Sequence, residues 1–209
     1  MKRNPVALVF FVMGCLTGWF LNTQHITIDI SITRYILYLL LFLIGLNIGS
    51  DILSWLMIKS LPRPLFLIPL ATIAGTLSFT ALAAFFITGR SVSDCLAIGS
   101  GFAYYSLSSV LIAELKTASS GLQLATELGL VALMANMLRE FMALLGAPLF
   151  VRYLGHLAPI CAAGATSGGE KIWPVIAKYA GREYIFVAIP HGILIELSVP
   201  VLVSFFCSV

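Results

Sequence analysis

Apolar residues run almost unbroken from Pro5 to Thr23, Ile32 to Ile48, Leu65 to Thr88, Leu122 to about Phe150, and Tyr184 to Phe206. Each run approaches or exceeds the roughly 20 residues that an α-helix needs to cross about 30 Å of hydrocarbon, so each predicts a membrane-spanning helix. Two further stretches, Cys95 to Ala113 and Ala158 to Tyr179, are apolar on average but broken. They carry Gly99, Gly101, Gly164, Gly168, Gly169 and Pro174 among serines, threonines and a charge pair. A backbone can leave the helical ladder at membrane depth only where protein or a water-filled cavity satisfies the freed groups, because lipid supplies no hydrogen bonds. These two stretches are therefore expected to be discontinuous or re-entrant helices that mark a site.

Composition agrees. The 209 residues are 60% apolar and 10% charged, against about 25% charge in a soluble domain, and mean hydropathy is +1.03. The expected fold class is an all-α, polytopic membrane bundle, with residues 1–209 forming one membrane domain and no length left for a soluble one. Cys15, Cys95, Cys161 and Cys207 show no CxxC pair and no adjacent histidines, which argues against a metal site and for buried free thiols. Met1-Lys2-Arg3-Asn4 before the first apolar run has the charge layout of a signal peptide but no small-residue exit, so it reads as an uncleaved first helix. No cofactor is expected.

The net charge of +3 is spread through short loops, which excludes a nucleic-acid surface. Cytoplasmic loops normally hold the excess of Lys and Arg. With the N-terminus inside, Lys2, Arg3, Lys59 and Arg63 fall inside, and Arg34 and Arg90 outside. If Cys95 to Ala113 dips in and returns without crossing, Arg152, Lys171, Lys178 and Arg182 also fall inside; a full crossing would export all four. The returning hairpin is the expectation.

Polar groups stand where the membrane is driest. Asn136 lies mid-span, with Arg139 and Glu140 a turn further on, and Asn136 and Glu140 share a helical face. Glu196 sits near the centre of the last span, with His191 before it and Pro190 and Pro200 on either side as kink points. A charged group at mid-bilayer costs from about 2.5 to more than 10 kcal/mol, so it needs a partner or a task. Arg139 reads either as the partner of an acid on another helix, Glu196 among them, or as part of a solute path. His191 reads as a packing histidine or a proton carrier. Glu127, off that face, belongs to the interface. Glu114 and Lys116 read as a charged membrane boundary, and Ser106, Ser108 and Ser109 beside Tyr104 and Tyr105 as cavity hydroxyls or helix cross-links. Acids outnumber bases at depth, which suits a cationic solute or protons.

Five blocks occur in one order: Leu40 to Gly45 (LLFLIG), Ser100 to Ser109 (SGFAYYSLSS), Asn136 to Glu140 (NMLRE), Gly164 to Ser167 (GATS) and His191 to Leu194 (HGIL). Together they make the chain from about Tyr35 onward resemble the bacterial lysine exporter family of the LysO type. The resemblance implies export of L-lysine and analogues such as thialysine across the cytoplasmic (inner) membrane, in exchange for protons, through the discontinuous-helix architecture of cation/proton antiporters and bile-acid carriers. Two departures stand out. Members commonly carry a further N-terminal membrane portion with an important acidic residue, so this chain resembles the larger partner of a split exporter, acting as a homodimer or with a small second membrane protein. They also follow Gly-Ala-Thr-Ser with Met-Asp, whereas here Gly168-Gly169-Glu170-Lys171 follows and Glu170 stands one position later.

The expected solute and proton site is therefore Asn136, Arg139, Glu140, Glu170, His191, Glu196, Ser106, Ser108, Thr166 and Ser167. A non-transporting membrane subunit is the alternative. An intramembrane serine hydrolase using Ser167 and His191 is a remote one, because no oxyanion donor is evident.

Overall fold

A computed structural model describes residues 5–23 and 30–209, so the basic N-terminal tetrad lies outside the described residues. The described residues form helices joined by turns, with no strand among them. They fall into two compact units, residues 1–39 and 40–209. The first holds α1 (Pro5–Thr23) and the start of α2 (Ile30–Ser50). The second holds the rest of α2, then α3 (Ile52–Ser60), α4 (Leu67–Ala84), α5 (Val92–Gly99), α6 (Tyr105–Ser120), α7 (Leu122–Leu154), α8 (Ala158–Ala163), α9 (Trp173–Tyr179) and α10 (Ile185–Ser208). Among the described residues, three helical stretches are long and apolar enough to cross a membrane: Arg63–Ala84, Leu122–Leu154 and Arg182–Ser208. Their outward faces carry Phe79, Leu82, Leu138, Leu145 and Val201 uncovered, the surface that a lipid solvent would accept and water would not.

Both broken stretches double back. Between Asp94 and Lys116, a single straight path at 1.5 Å per residue would separate the two by more than about 20 Å. Their side chains instead form an ion pair of 2.8 Å, so α5 and α6 are the two arms of a hairpin with its tip at 100–104. The return path expected from loop charge is the observed one, and at the base of this hairpin Lys116 is buried against Asp94. The second hairpin closes in the same way. The His156 ring nitrogen Nδ1 lies 2.9 Å from the carbonyl of Ala180, and the same ring stacks on Tyr184, so α8 and α9 begin and end together.

Helix α7 sets the polarity of the two hairpins. Near its start Glu127 pairs with Arg90 at the base of the first hairpin, at 2.8 Å. Its end, Leu154, leads through Gly155 directly into the second. A helix of 33 residues spans about 50 Å, so the hairpins enter from opposite ends and their tips meet beside its middle. Arms pack closely where glycine allows it: a Cβ on Gly129 of α7 would stand 2.8 Å from the Ser109 carbonyl of α6. A buried cluster lies around the second hairpin, where Ile160, Ile172, Ile176 and Ala188 are packed with Leu65, just before α4, and with Ile68 in its first turn.

Candidate functional site

The site is built by the two tips. At the first, Phe102 and Ala103 take φ values of +44° and +71°, a left-handed turn that breaks the α-ladder. Asn136 repairs the break: its Oδ1 accepts from the Ala103 N–H at 2.9 Å and its Nδ2 donates to the Ile98 carbonyl at 3.0 Å. Its remaining contacts are the Ala132 carbonyl and, at 3.5 Å, the hydroxyl of Ser108, which is itself bonded to the Tyr104 carbonyl. Asn136 and Ser108 thus serve the backbone of the tip.

At the second tip Gly164 has φ of +60°, and a Cβ there would stand 2.5 Å from the Phe102 carbonyl. The Ala165 N–H donates to that same carbonyl at 2.9 Å, so the two tips are hydrogen-bonded to one another. Arg139 secures the arrangement. Its Nε and Nη2 donate to the carbonyls of Ala162 and Cys161 at 3.0 and 3.2 Å, its Nη1 donates to Thr76, and its guanidinium lies 5.6 Å from the centre of the Phe102 ring. The last carbonyls of a helix lack partners and carry its partial negative charge; for α8 the Arg139 fork supplies the cation. Neither an acid partner for Arg139 nor an Arg139–Glu196 ion pair is seen among the described residues.

His191 on α10 is buried between two hydroxyls, with Nε2 3.0 Å from Thr72 of α4 and Nδ1 2.8 Å from Ser167 of the second tip. Both ring nitrogens are therefore engaged whichever carries the proton. Ser167 also donates to the Ala188 carbonyl at 3.0 Å. The serine and histidine of the hydrolase reading do meet, but Ser167 is 0% and His191 1% exposed. No acyl group can reach that hydroxyl, and the far nitrogen faces a threonine where such chemistry uses an acid. Gly192 makes this contact possible, because a Cβ there would run into the Gly168 backbone.

A different set of side chains faces open space. A cavity of about 480 Å³, within the range of small-molecule sites, is lined by both tips and by α7 and α10. Glu140, Glu170 and Glu196 line it together with Lys171, Tyr104, Tyr105, Ser106 and Thr166. Glu140 is only 9% exposed, yet among the described residues no side chain hydrogen-bonds or ion-pairs with its carboxylate. The Tyr104 hydroxyl is close enough to interact with Glu196. Thr166 lends its hydroxyl to the Ala163 carbonyl at 2.9 Å while facing the cavity. Of the ten sequence candidates, Ser106, Glu140, Thr166, Glu170 and Glu196 are brought together around this space. Asn136, Ser108, Arg139, Ser167 and His191 stand behind it and hold the tips.

Asp51 was missed by sequence reasoning. It occupies the one-residue gap between α2 and α3 and lines a second cavity of about 440 Å³ that shares Gly168, Gly169, Glu170, Ile193 and Glu196 with the first. A lone acid inside the apolar run from Tyr35 to Ile58 was the available signal. Among the described residues Cys95 and Cys207 are buried free thiols, Cys161 is a half-buried one where a buried thiol is expected, and no group of three metal-ligating side chains occurs.

Comparison with known proteins gives this geometry a context. The chain is 28% identical over 207 residues to the protein named Lysine exporter LysO of Escherichia coli K12, matching 99% of this chain and 63% of that one. It is also 28% identical over 197 residues to a Putative lysine exporter of Haemophilus influenzae Rd, matching 94% of each. The chain thus spans under two thirds of the E. coli relative's length. Both relatives are named as exporters, not enzymes. No solved structure matches the chain. Residues 8–207 match the family model described as Lysine exporter LysO, and the chain belongs to that family.

Proposed function

We propose that this chain carries L-lysine, and analogues such as thialysine, outward across the cytoplasmic membrane in exchange for protons. In this reading Glu140, Glu170 and Glu196 receive the ammonium groups of the solute and protons in turn. The observation that carries it is the buried Glu140, without a side-chain partner among the described residues, in the wall of a cavity with two further carboxylates. An ionised carboxylate in a poorly solvated site is stable only while a cation or proton is near. The names of the two relatives supply the direction of transport and the amino acid.

Charge at the two ends supports an orientation. Arg63, Arg152, Lys178 and Arg182 gather at the base of the second hairpin, whereas Arg90 and Lys116 at the base of the first are each matched by an acid. The second hairpin then enters from the cytoplasm. The reading includes a second copy or a small membrane protein as partner.

The test is lysine counterflow in proteoliposomes, with this chain alone and with a candidate partner. Wild-type protein should exchange labelled L-lysine and respond to an imposed pH gradient, and Glu196→Gln or Glu140→Gln should lower exchange by at least about tenfold. That loss is the size set by about 1.4 kcal/mol of binding or barrier energy. Unchanged exchange in folded variants removes the carboxylates from the mechanism. Absence of exchange under both conditions favours the non-transporting subunit.

A further inference from the structure

The cavity beside the tips holds three carboxylates and one ammonium among its lining residues, and that ammonium is Lys171. The other cation at the tips, Arg139, is committed to the carbonyls of Cys161 and Ala162 and to Thr76, and it lines a separate, mainly apolar recess with Phe79 and Val131. Lys171 is uncommitted. It is exposed, and among the described residues no carboxylate lies within ion-pair distance of it. Glu170, its neighbour, lines the same cavity without pairing to it.

A site made only to hold ammonium groups would gain nothing from a base in its wall, since like charges repel. A free amino acid differs from a simple diamine by one group, its α-carboxylate, and a lysine ammonium is a suitable point-charge partner for it. Glu140, nine-tenths buried and without a partner among the described residues, lines the same cavity from α7 and supplies a complementary negative charge. We infer that Lys171 is a specificity-determining residue that binds the α-carboxylate of the transported amino acid, so that the cavity selects a zwitterionic, dibasic amino acid over a diamine of the same length. This rests on the transport reading above.

The experiment reads competition against labelled L-lysine in proteoliposomes by unlabelled L-lysine, by 1,5-diaminopentane and by L-lysine methyl ester, for wild type, Lys171→Gln and Lys171→Arg. Wild type should prefer L-lysine over both carboxylate-free or masked competitors by about tenfold or more, the ratio expected of one charge-assisted hydrogen bond. Lys171→Gln should bring the three competitors to within about twofold of one another by weakening L-lysine alone, and Lys171→Arg should keep the preference. If Lys171→Gln binds L-lysine with the wild-type preference intact, or if the diamine competes as well as L-lysine in the wild type, the assignment is overturned while lysine transport stands. If no L-lysine is exchanged by the wild type under any condition, the transport reading fails and takes this inference with it.

Discussion

Asn136 and Glu140 lie one turn apart on α7, both buried, and they do opposite work. Asn136 spends both ends of its amide on backbone groups that the left-handed turn at Phe102 and Ala103 sets free. Replacing it by alanine leaves a buried N–H and a buried carbonyl without partners, at about 1–3 kcal/mol for each group. Asn136→Ala should therefore lower the thermal unfolding midpoint in detergent clearly, whereas Glu140→Gln should leave it unchanged or raised because the carboxylate has no side-chain partner to lose among the described residues. Equal midpoints for Asn136→Ala and wild type would show that the tip does not depend on the amide. The sequence placed both residues at mid-span on one face, but it could not divide them into support and cavity. That division depends on whether a neighbouring backbone or an open space stands opposite each side chain, which spacing along one helix does not encode.

Among the elements, the second hairpin tip is held by contact of backbone on backbone, with Gly168 lying against Gly192 of α10 and Gly164 against the Phe102 carbonyl of the first tip. A methyl group at Gly192 meets main chain that cannot rotate away, so the tip must shift; overpacking of this kind costs about 1–3 kcal/mol. Gly75 on α4 has nothing within 4 Å of its would-be Cβ, and alanine there should be neutral or stabilising by up to about 1 kcal/mol through helix propensity. Thermal unfolding of Gly192→Ala beside Gly75→Ala checks this directly: indistinguishable midpoints would contradict the tip packing. The glycines and the broken character of both stretches were legible in the sequence, as was the return of the first. The closure of the second by His156 and Ala180 was not, because a histidine at a loop has no fixed partner until the two arms meet.

For the molecule as a whole, opposite entry of the two hairpins places Val92 and Lys178 at opposite ends of α7. In a background with Cys15, Cys95, Cys161 and Cys207 replaced by serine, an impermeant maleimide added outside right-side-out vesicles should label Val92→Cys and spare Lys178→Cys. Labelling of both from one side would refute the opposed hairpins. The reverse pattern would keep the architecture and invert the orientation argued from Arg63, Arg152, Lys178 and Arg182.

The amino-acid sequence by itself determined that this is an all-helical membrane protein of the lysine exporter family, where its longest helices lie, and which two stretches break; α3 (Ile52–Ser60) it did not foresee. These follow from local quantities: the length of each apolar run, the energy of exposing backbone to lipid, and five ordered motifs. Only the tertiary structure decided which polar groups are consumed and which are open. It turned Arg139 from a candidate ion-pair partner into the clamp of α8, committed Ser167 and His191 to each other out of reach of any solute, and brought Asp51 to a cavity shared with Glu170 and Glu196. Those outcomes depend on what lies across a gap between segments distant in the chain, and a buried polar group takes whichever partner the fold delivers.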